Sequence, residues 1–245
     1  MGEVGRGRAM LSVRNLYSGY GKLRVLFDVS VEVPGKEITV VVGPNGAGKT
    51  TLLNSIMGIA DVFAGQILFE GRDIVGTATH KLAKMGISYV PQMGNVFAEL
   101  TVHENLRMAG YTLSEEELAD RVEEVTAMFP VLKEFMHRRA GTLSGGERRM
   151  LAIAMGLMRK PKIMLLDEMS TDLAPIIAKR VLNKVVELRD ELGITILLVE
   201  QMARRALEIG DSAYLLVSGQ IRFSGEAEEL LHHPELAKLY LGIKE

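Results

Sequence analysis

Runs of apolar residues alternate along this chain with segments of helical periodicity. Three runs at residues 11–20, 23–33 and 37–43 are rich in Val, Ile, Leu and Tyr and end at Gly or Pro, which is typical of β-strands. The third, EITVVVG, is almost wholly apolar and predicts a strand buried on both faces. KIMLLDE and ITILLVE repeat this pattern on either side of PIIAKRVLNKVVELRDEL, an amphipathic helix with Pro175 in its first turn. Such alternation predicts an α/β fold with a mainly parallel sheet covered by helices.

Residues 95–160 differ, because no segment there has the pattern of a strand. LTVHENLRMAG, SEEELADRVEEVTAMF and LKEFMHRRA predict helices, and Ser114 and Glu117 have the spacing of a capping box. We therefore predict one domain of 245 residues, with a core of residues 11–94 and 161–245 and an inserted helical subdomain at 95–160. The other predicted elements are strands in GQILFEG and GISYVPQ, helices in ATHKLAKMG and ARRALEIG, a hairpin in SAYLLVSGQIRFSGE, and a helical tail ending in YLGIKE.

The composition excludes several kinds of protein. Hydrophobic residues make up 47% and charged residues 24% of the chain, with a net charge of -2, which is ordinary for a soluble protein and argues against bare nucleic acid as its main partner. There is no cysteine, so disulfides and thiolate metal sites are excluded. The start, MGEVGRGRAM, does not resemble a secretory signal, and no stretch is long and apolar enough to cross a bilayer. A role at a membrane would therefore require another chain as an anchor.

The segment GPNGAGKT matches the phosphate-binding pattern G-x-x-x-x-G-K-[ST]. Its glycines allow backbone N–H groups to surround phosphate oxygens, Lys49 adds a positive charge, and the Thr50 hydroxyl can ligate magnesium. A buried strand precedes the segment and a helix is expected after it, which makes an exposed glycine turn a much weaker interpretation. The predicted phosphate-binding residues are Gly43, Pro44, Asn45, Gly46, Ala47, Gly48, Lys49, Thr50 and Thr51.

A second motif, IMLLDE, places two carboxylates at the end of an apolar strand, where ligands bind in doubly wound sheets. Asp167 is suited to hold Mg²⁺, and Glu168 to orient or deprotonate an attacking water. Guanine recognition by Asn-Lys-x-Asp is not supported, because Val-Val follows the only Asn-Lys pair, Asn183-Lys184. Tyr20 could stack on adenine, although a tyrosine that simply closes a strand is about equally expected from its surroundings.

The sequence LSGGE at residues 143–147 raises the question of a second anion site. Ser144 and Glu147 have the spacing of a plain helix cap, but Gly145 and Gly146 cost about 1 kcal/mol each inside a helix and suggest close approach of a ligand. The helical segment separates this turn from the phosphate loop. We therefore expect Ser144 to serve a nucleotide held by a second copy of the protein, in a twofold head-to-tail dimer.

These motifs, with Gln92 after a strand, resemble in order and spacing the ATPase subunits of ABC transporters, over residues 11–241. The resemblance implies ATP and Mg²⁺ as ligands, and an antiparallel β subdomain near the N-terminus. It also implies roles for individual residues. These are adenine stacking by Tyr20, sensing of Mg²⁺ and water by Gln92, a signature acting in trans at Ser144, Gly145, Gly146 and Glu147, metal binding by Thr50, Gln92 and Asp167, and catalysis by Glu168 with Lys49, Gln92 and Gln201.

A narrower set of segments resembles the second ATPase of branched-chain amino-acid importers. These segments include ELTVHENL, MFPVLKE, LAPII, LLVEQ and LAKLYLG. The resemblance implies a homodimer or a heterodimer with a paralogous ATPase, integral-membrane permease subunits as partners, an extracytoplasmic solute-binding protein acting indirectly, no nucleic acid, and a cytoplasmic location peripheral to the inner face of the membrane. Val96, Phe97 and Leu100 are candidates for a permease-docking groove, with ordinary packing as the equal alternative.

Four positions depart from the wider family and leave other functions open. Gln201 stands where a histidine is usual, Met169 and Ala174 replace a usual Pro and Asp, and Asp172 stands where a small residue is common. Glutamine can donate a hydrogen bond but cannot carry the proton of an imidazolium. The alternatives are the ATPase of a urea or lipopolysaccharide transporter, and a nucleotide-gated assembly module of low turnover. Soluble ABC ATPases of DNA or ribosomes are disfavoured because the chain has neither long coiled coils nor a second cassette.

Overall fold

The computed structural model describes residues 9–233 and residue 236. Its strands are β1 Ala9–Tyr20, β2 Leu23–Pro34, β3 Ile38–Val42, β4 Asp61–Phe69, β5 Arg72–Asp73, β6 Ile87–Val90, β7 Ile163–Asp167, β8 Thr195–Glu200, β9 Ser212–Val217 and β10 Gln220–Glu226. Its helices are α1 Lys49–Ile56, α2 Thr79–Met85, α3 Val102–Ala109, α4 Glu115–Met128, α5 Pro130–Glu134, α6 Gly145–Leu157, α7 Pro175–Leu192, α8 Ala203–Leu207 and α9 Ala227–Leu231. The predicted helical tail at the C-terminus lies outside the described residues.

Two sheets form the framework. The larger has the order β10-β9-β3-β8-β7-β6, with neighbours parallel except at the β10 edge. The smaller is antiparallel, with the order β2-β1-β4-β5. The predicted α/β fold, with a mainly parallel sheet and a separate antiparallel β unit, is therefore confirmed.

The hydrophobic core has one part on each face of the larger sheet. Ile38, Val40 and Val42 of β3 point to the part that contains the helices α3 to α9, whereas Val41 points to the part shared with α1 and the antiparallel sheet. Successive side chains of a strand face opposite sides, so a strand covered on both faces is apolar at every position, as EITVVVG predicted. This burial fixes the carboxyl ends of β3, β7 and β8 side by side.

The helical region contains α3 to α6, and its only β pairing among the described residues is a single bridge between Thr101 and Arg139. The capping box at Ser114 is confirmed. The helix predicted in LKEFMHRRA is shorter than expected, because α5 ends at Glu134. The carbonyls of Met136 and Arg138 instead accept hydrogen bonds from the first N–H groups of α3, at 3.0 Å each. The boundaries at residues 95 and 160 remain a prediction.

Candidate active site

The phosphate-binding segment forms the turn from β3 into α1. Gly46 and Gly48 have φ of 75° and 107°, in the region that favours glycine. Helix α1 begins at Lys49 with no side-chain cap and no acidic residue in its first turn. Its first N–H groups therefore lack a side-chain partner, and they and the positive end of the helix dipole suit an anion.

Six of the nine predicted phosphate-binding residues line the cavity beside this segment, namely Asn45, Gly46, Gly48, Lys49, Thr50 and Thr51. Gly43, Pro44 and Ala47 are absent from the lining. A Cβ on Gly43 would lie 2.2 Å from the Leu216 carbonyl oxygen, so close packing against β9 requires this glycine. Ala47 is buried, and its carbonyl accepts a hydrogen bond from Gly219 N at 2.9 Å. These three residues therefore support the loop without facing the cavity.

Lys49 and Glu168 form a buried ion pair at the centre of the site. Lys49 Nζ lies 3.3 Å from Glu168 Oε1 and donates to the carbonyls of Gly43 and Pro44 at 2.9 and 3.2 Å. Glu168 Oε2 accepts from Gln92 Nε2 at 3.0 Å and from Thr171 Oγ1 at 3.2 Å. Glu168 has φ of 50°, an unfavourable backbone conformation for a non-glycine residue, and its N–H donates to Val199 O at 2.9 Å. The carboxylate is held by one cation and two donors at the end of β7.

Asp167 and Thr50 provide oxygen donors that suit Mg²⁺. Thr50 Oγ1 donates to Asp167 Oδ1, and Tyr89 Oη donates to Asp167 Oδ2, both at 3.3 Å. Burial raises the pKa of Asp167, the hydrogen bond from Thr50 opposes that shift, and the neighbouring charge of Glu168 adds to it. In the described part of the chain, no group of three or more His, Cys, Asp or Glu side chains is arranged so that it could hold a metal ion by itself. A hydroxyl and one carboxylate fit Mg²⁺ all the same, because this ion keeps waters and binds substrate phosphates.

A cavity of about 680 Å³ lies between these elements. It is lined by Val25, Asn45, Gly46, Gly48, Lys49, Thr50, Thr51, Gln92, Glu168, Thr171, Asp172 and Gln201. The chain thus brings together the phosphate loop, Glu168, Gln92 and Gln201, which are far apart in sequence. Tyr20 is not part of the lining. It lies at the end of β1, is 43% exposed, and accepts a hydrogen bond from Asn54 Nδ2 at 2.7 Å.

Ser144 is also absent from this lining, so one chain does not bring it into the cavity. Ser144 is instead the N-cap of α6. Its Oγ accepts from Glu147 N at 3.4 Å, and its own N–H donates to Glu147 Oε2 at 2.7 Å. The helix cap, which the two glycines had argued against, is therefore present.

The argument from the two glycines also needs correction. Gly146 is buried, and a Cβ there would lie 2.2 Å from Ile177 Cγ2 on α7, so packing of α6 on α7 accounts for it. Gly145 is exposed, and a Cβ there would lie 3.1 Å from the end of the Leu173 side chain. Of the two glycines, only Gly145 still supports the close approach of a ligand.

Comparisons with known proteins place this geometry in a family. Residues 26–171 match the family model described as ABC transporter. The chain belongs to the ABC transporter family. It is similar to the probable branched-chain amino acid transport ATP-binding protein LivF of Archaeoglobus fulgidus, with 51% identity over 96% of this chain and 99% of that protein. The high-affinity branched-chain amino acid transport ATP-binding protein BraG of Pseudomonas aeruginosa is 43% identical, over 95% of this chain and all of that protein.

A solved structure agrees with this assignment. The ADP conformation of MJ1267, an ATP-binding cassette of an ABC transporter, is 29% identical and has a TM-score of 0.87, over 96% of this chain and all of that one. The ABC family predicted from the four motifs, and the fold predicted with it, are therefore confirmed. In the described part of this ABC protein, no helix has the length and hydrophobicity needed to span a membrane.

The positions that depart from the wider family lie in and behind the site. Gln201 and Asp172 line the cavity, and Asp172 has φ of 63°, a left-handed conformation that a small residue such as glycine adopts more easily. Met169 is fully buried in the core. Ala174 is the N-cap of α7 and provides no side-chain hydrogen bond, as an aspartate there could.

Sequence reasoning missed two charged residues of this ABC protein. Glu200 ends β8 beside Gln201; burial raises its pKa to about 7, and the Ser170 N–H that donates to it at 2.7 Å opposes the shift. Its position at the end of an apolar strand, ITILLVE, is the same signal that identified Asp167 and Glu168. Arg149, on α6, donates to the Gln92 carbonyl across 57 residues of sequence, and no local pattern predicts this contact.

Proposed function

We propose that this chain binds ATP with Mg²⁺ and hydrolyses it, and that it drives a membrane importer of branched-chain amino acids from the cytoplasmic side. The observation that carries this proposal is the convergence of the phosphate loop, Gln92, Glu168 and Gln201 on one cavity. Two relatives that match over nearly their full length are named as branched-chain amino acid transport ATP-binding proteins, which supports the choice of substrate.

The contacts in the site suggest how each residue contributes. Lys49 exchanges its ion pair with Glu168 for contacts with the β- and γ-phosphate oxygens. Thr50, Asp167 and Gln92 would hold Mg²⁺, which when bound supplies neutralisation of the phosphate charge. Glu168 accepts the proton of the attacking water, with Gln92 and Gln201 as hydrogen-bonding groups that orient it. Tyr20 stacks on adenine at the edge of the site.

The site is completed by a second molecule. Because Ser144 does not reach the cavity of its own chain, we propose that its hydroxyl and the N–H groups of the first turn of α6 meet the γ-phosphate bound by a partner, either another copy or a paralogous ATPase. Binding of ATP then closes the dimer, and loss of the γ-phosphate opens it.

A groove of about 560 Å³ between the core and the helical region is the proposed contact with a permease. Phe97 lines it and is 52% exposed, whereas Val96 and Leu100 are not in its lining and Val96 packs on the core.

Because the chain has no cysteine, Phe97→Cys gives a unique crosslinking site. We expect it to capture a permease subunit in membranes, and Tyr111→Cys, at a position that is 71% exposed and outside the groove, not to do so. Equal capture by both would contradict docking in the groove. Solute-binding proteins would act only through the permease.

The catalytic assignment is tested with Glu168→Gln. Removal of the base lowers steady-state ATP hydrolysis by about 10²- to 10⁴-fold. ATP binding persists, because the amide is nearly the same size and Lys49 loses a competing charge. The variant then accumulates as a dimer in the presence of ATP, which size-exclusion chromatography detects. Glu228→Gln, an exposed residue of α9, serves as the control and is expected to hydrolyse ATP normally. Undiminished hydrolysis by Glu168→Gln would contradict its role as base.

A second candidate is a lipopolysaccharide export ATPase. The export protein LptB of Escherichia coli is 35% identical over 96% of this chain. Its identity is lower than that of either branched-chain relative, so we place it second. Transport of radiolabelled leucine by vesicles that contain the complex distinguishes the two.

A further inference from the structure

Arg149 connects the signature helix α6 to the proposed catalytic base through two hydrogen bonds. Its Nη1 donates to the carbonyl of Gln92, and the Gln92 side chain donates from Nε2 to Glu168 Oε2 at 3.0 Å. Arg149 is only partly exposed and is not among the residues that line the nucleotide cavity. Arg149 therefore reaches the catalytic carboxylate only through Gln92, which lines the cavity, and does not line the cavity itself.

Gln92 lies in a loop, so the position of its backbone depends on this contact more than it would in a strand or a helix. Gln92 follows β6, which ends at Val90, and the next helix begins only at Val102. The nearest other restraints on this segment are side-chain hydrogen bonds: Asn95 Nδ2 donates to Pro91 O at 2.7 Å, and Phe97 N donates to Asn105 Oδ1 at 2.8 Å. A planar guanidinium that donates to the Gln92 carbonyl is thus a main restraint on where this residue lies.

The charges around Arg149 favour an arginine at this position. Burial lowers the pKa of Arg149, and the carboxylates of Glu200, Asp172, Asp167 and Glu168 oppose that shift. A cation here partly balances four acidic groups that surround the site. Its removal would change both a hydrogen bond and the local electrostatic balance.

We propose that Arg149 is a positioning residue, which holds the Gln92 backbone so that a displacement of α6 is transmitted to Glu168. This inference rests on the proposed function, since it assumes Glu168 to be the base. Closure of a dimer on the α6 N-terminus would then change the position of the base in the same molecule. The effect falls on the chemical step and not on nucleotide affinity.

Kinetics of Arg149→Met test the proposal. Because misplaced catalytic groups can cost up to about 100-fold, we expect kcat to fall roughly 10- to 100-fold, with KM for ATP within about twofold of wild type. The matched control is Arg107→Met in the same helical region. Arg107 makes an exposed ion pair with Glu115 and no contact with the site, so near-normal kcat is expected. A rise in KM with unchanged kcat would overturn the proposal.

A double-mutant cycle distinguishes positioning from a general structural role. In the Gln92→Ala background the link to Glu168 is already broken, so Arg149→Met should lower the residual kcat by less than about twofold. If Arg149→Met lowers kcat by the same factor in both backgrounds, Arg149 does not act through Gln92.

Hydrogen exchange tests the structural link without any activity. We expect faster deuterium uptake at residues 93–97 in Arg149→Met than in wild type or Arg107→Met, with the strands of the larger sheet unchanged. Unchanged uptake at 93–97, or faster uptake throughout the chain, would overturn the proposal. If wild type fails to hydrolyse ATP, the proposed function fails, while the exchange result still decides whether Arg149 holds the segment.

Discussion

Helices α1 and α6 both begin after glycine-rich turns, but their first turns satisfy the backbone in different ways. Helix α1 has no side-chain cap, and Gly46 and Gly48 before it have positive φ. Helix α6 has a complete capping box, in which Ser144 and Glu147 satisfy each other's backbone N–H groups. An uncapped end leaves more donors for an anion than a capped end does.

This difference indicates how the two sites depend on their surroundings. The α1 site has its lysine, its carboxylates and its cavity within a single chain. No residue of α6 lines this cavity, and the first turn of α6 is already stabilised by its cap and by packing against α7. A nucleotide is therefore expected to bind first at α1 of one molecule and then to recruit α6 of another.

Mixing two inactive variants gives the largest expected effect. Lys49→Ala removes the cation of the α1 site, and Ser144→Arg blocks the α6 end, so each variant alone should show no measurable ATPase activity. In a random mixture half of the dimers are mixed, and each mixed dimer has one intact site. We therefore expect hydrolysis to return to roughly a quarter of the wild-type rate. Failure to recover activity on mixing would contradict a site shared between molecules.

The control for this experiment is Ser114→Arg on α4, which has the same capping box as α6. Both serine substitutions lose a cap and are expected to cost about 1 kcal/mol of stability. Only Ser144→Arg should lose ATPase activity. If Ser114→Arg were equally inactive, loss of the cap and not loss of a ligand contact would explain the result.

The same two helices show what the sequence could and could not predict. The turn before α1 was predictable because glycine spacing, the preceding apolar strand and Lys49 are local signals. The reason for Gly146 was not, because it depends on a contact with Ile177 on another helix. Glu200 could have been found from its strand-end position, whereas the bond from Arg149 to Gln92 depends on how the helical region packs on the core. Patterns within one element were predictable, and contacts between elements were not.

Alanine at the two glycines of α6 separates packing from ligand approach. Gly146→Ala places a Cβ 2.2 Å from Ile177 Cγ2 and should cost about 1–3 kcal/mol in urea unfolding. Gly145→Ala meets only the end of the Leu173 side chain, so its cost should be within about 0.5 kcal/mol, because alanine also favours the helix. ATP-dependent dimerisation by Gly145→Ala should nevertheless weaken. Equal stability losses in the two variants would contradict the assignment of Gly146 to packing.

Gly46 in the α1 turn tests the opposite case, in which conformation and not space requires glycine. A Cβ there would meet no atom within 4 Å, but φ is 75°. Alanine at positive φ costs about 1–2 kcal/mol, and its smaller unfolded-state entropy returns about 0.4–1 kcal/mol. We therefore expect Gly46→Ala to lose between about 0 and 1.6 kcal/mol in urea unfolding without nucleotide. Gly46→Asn should lose less than Gly46→Ala, because asparagine tolerates left-handed backbone. If Gly46→Asn lost as much stability as Gly46→Ala, backbone conformation would not explain this glycine. A steric contact, as at Gly146, would then be the explanation.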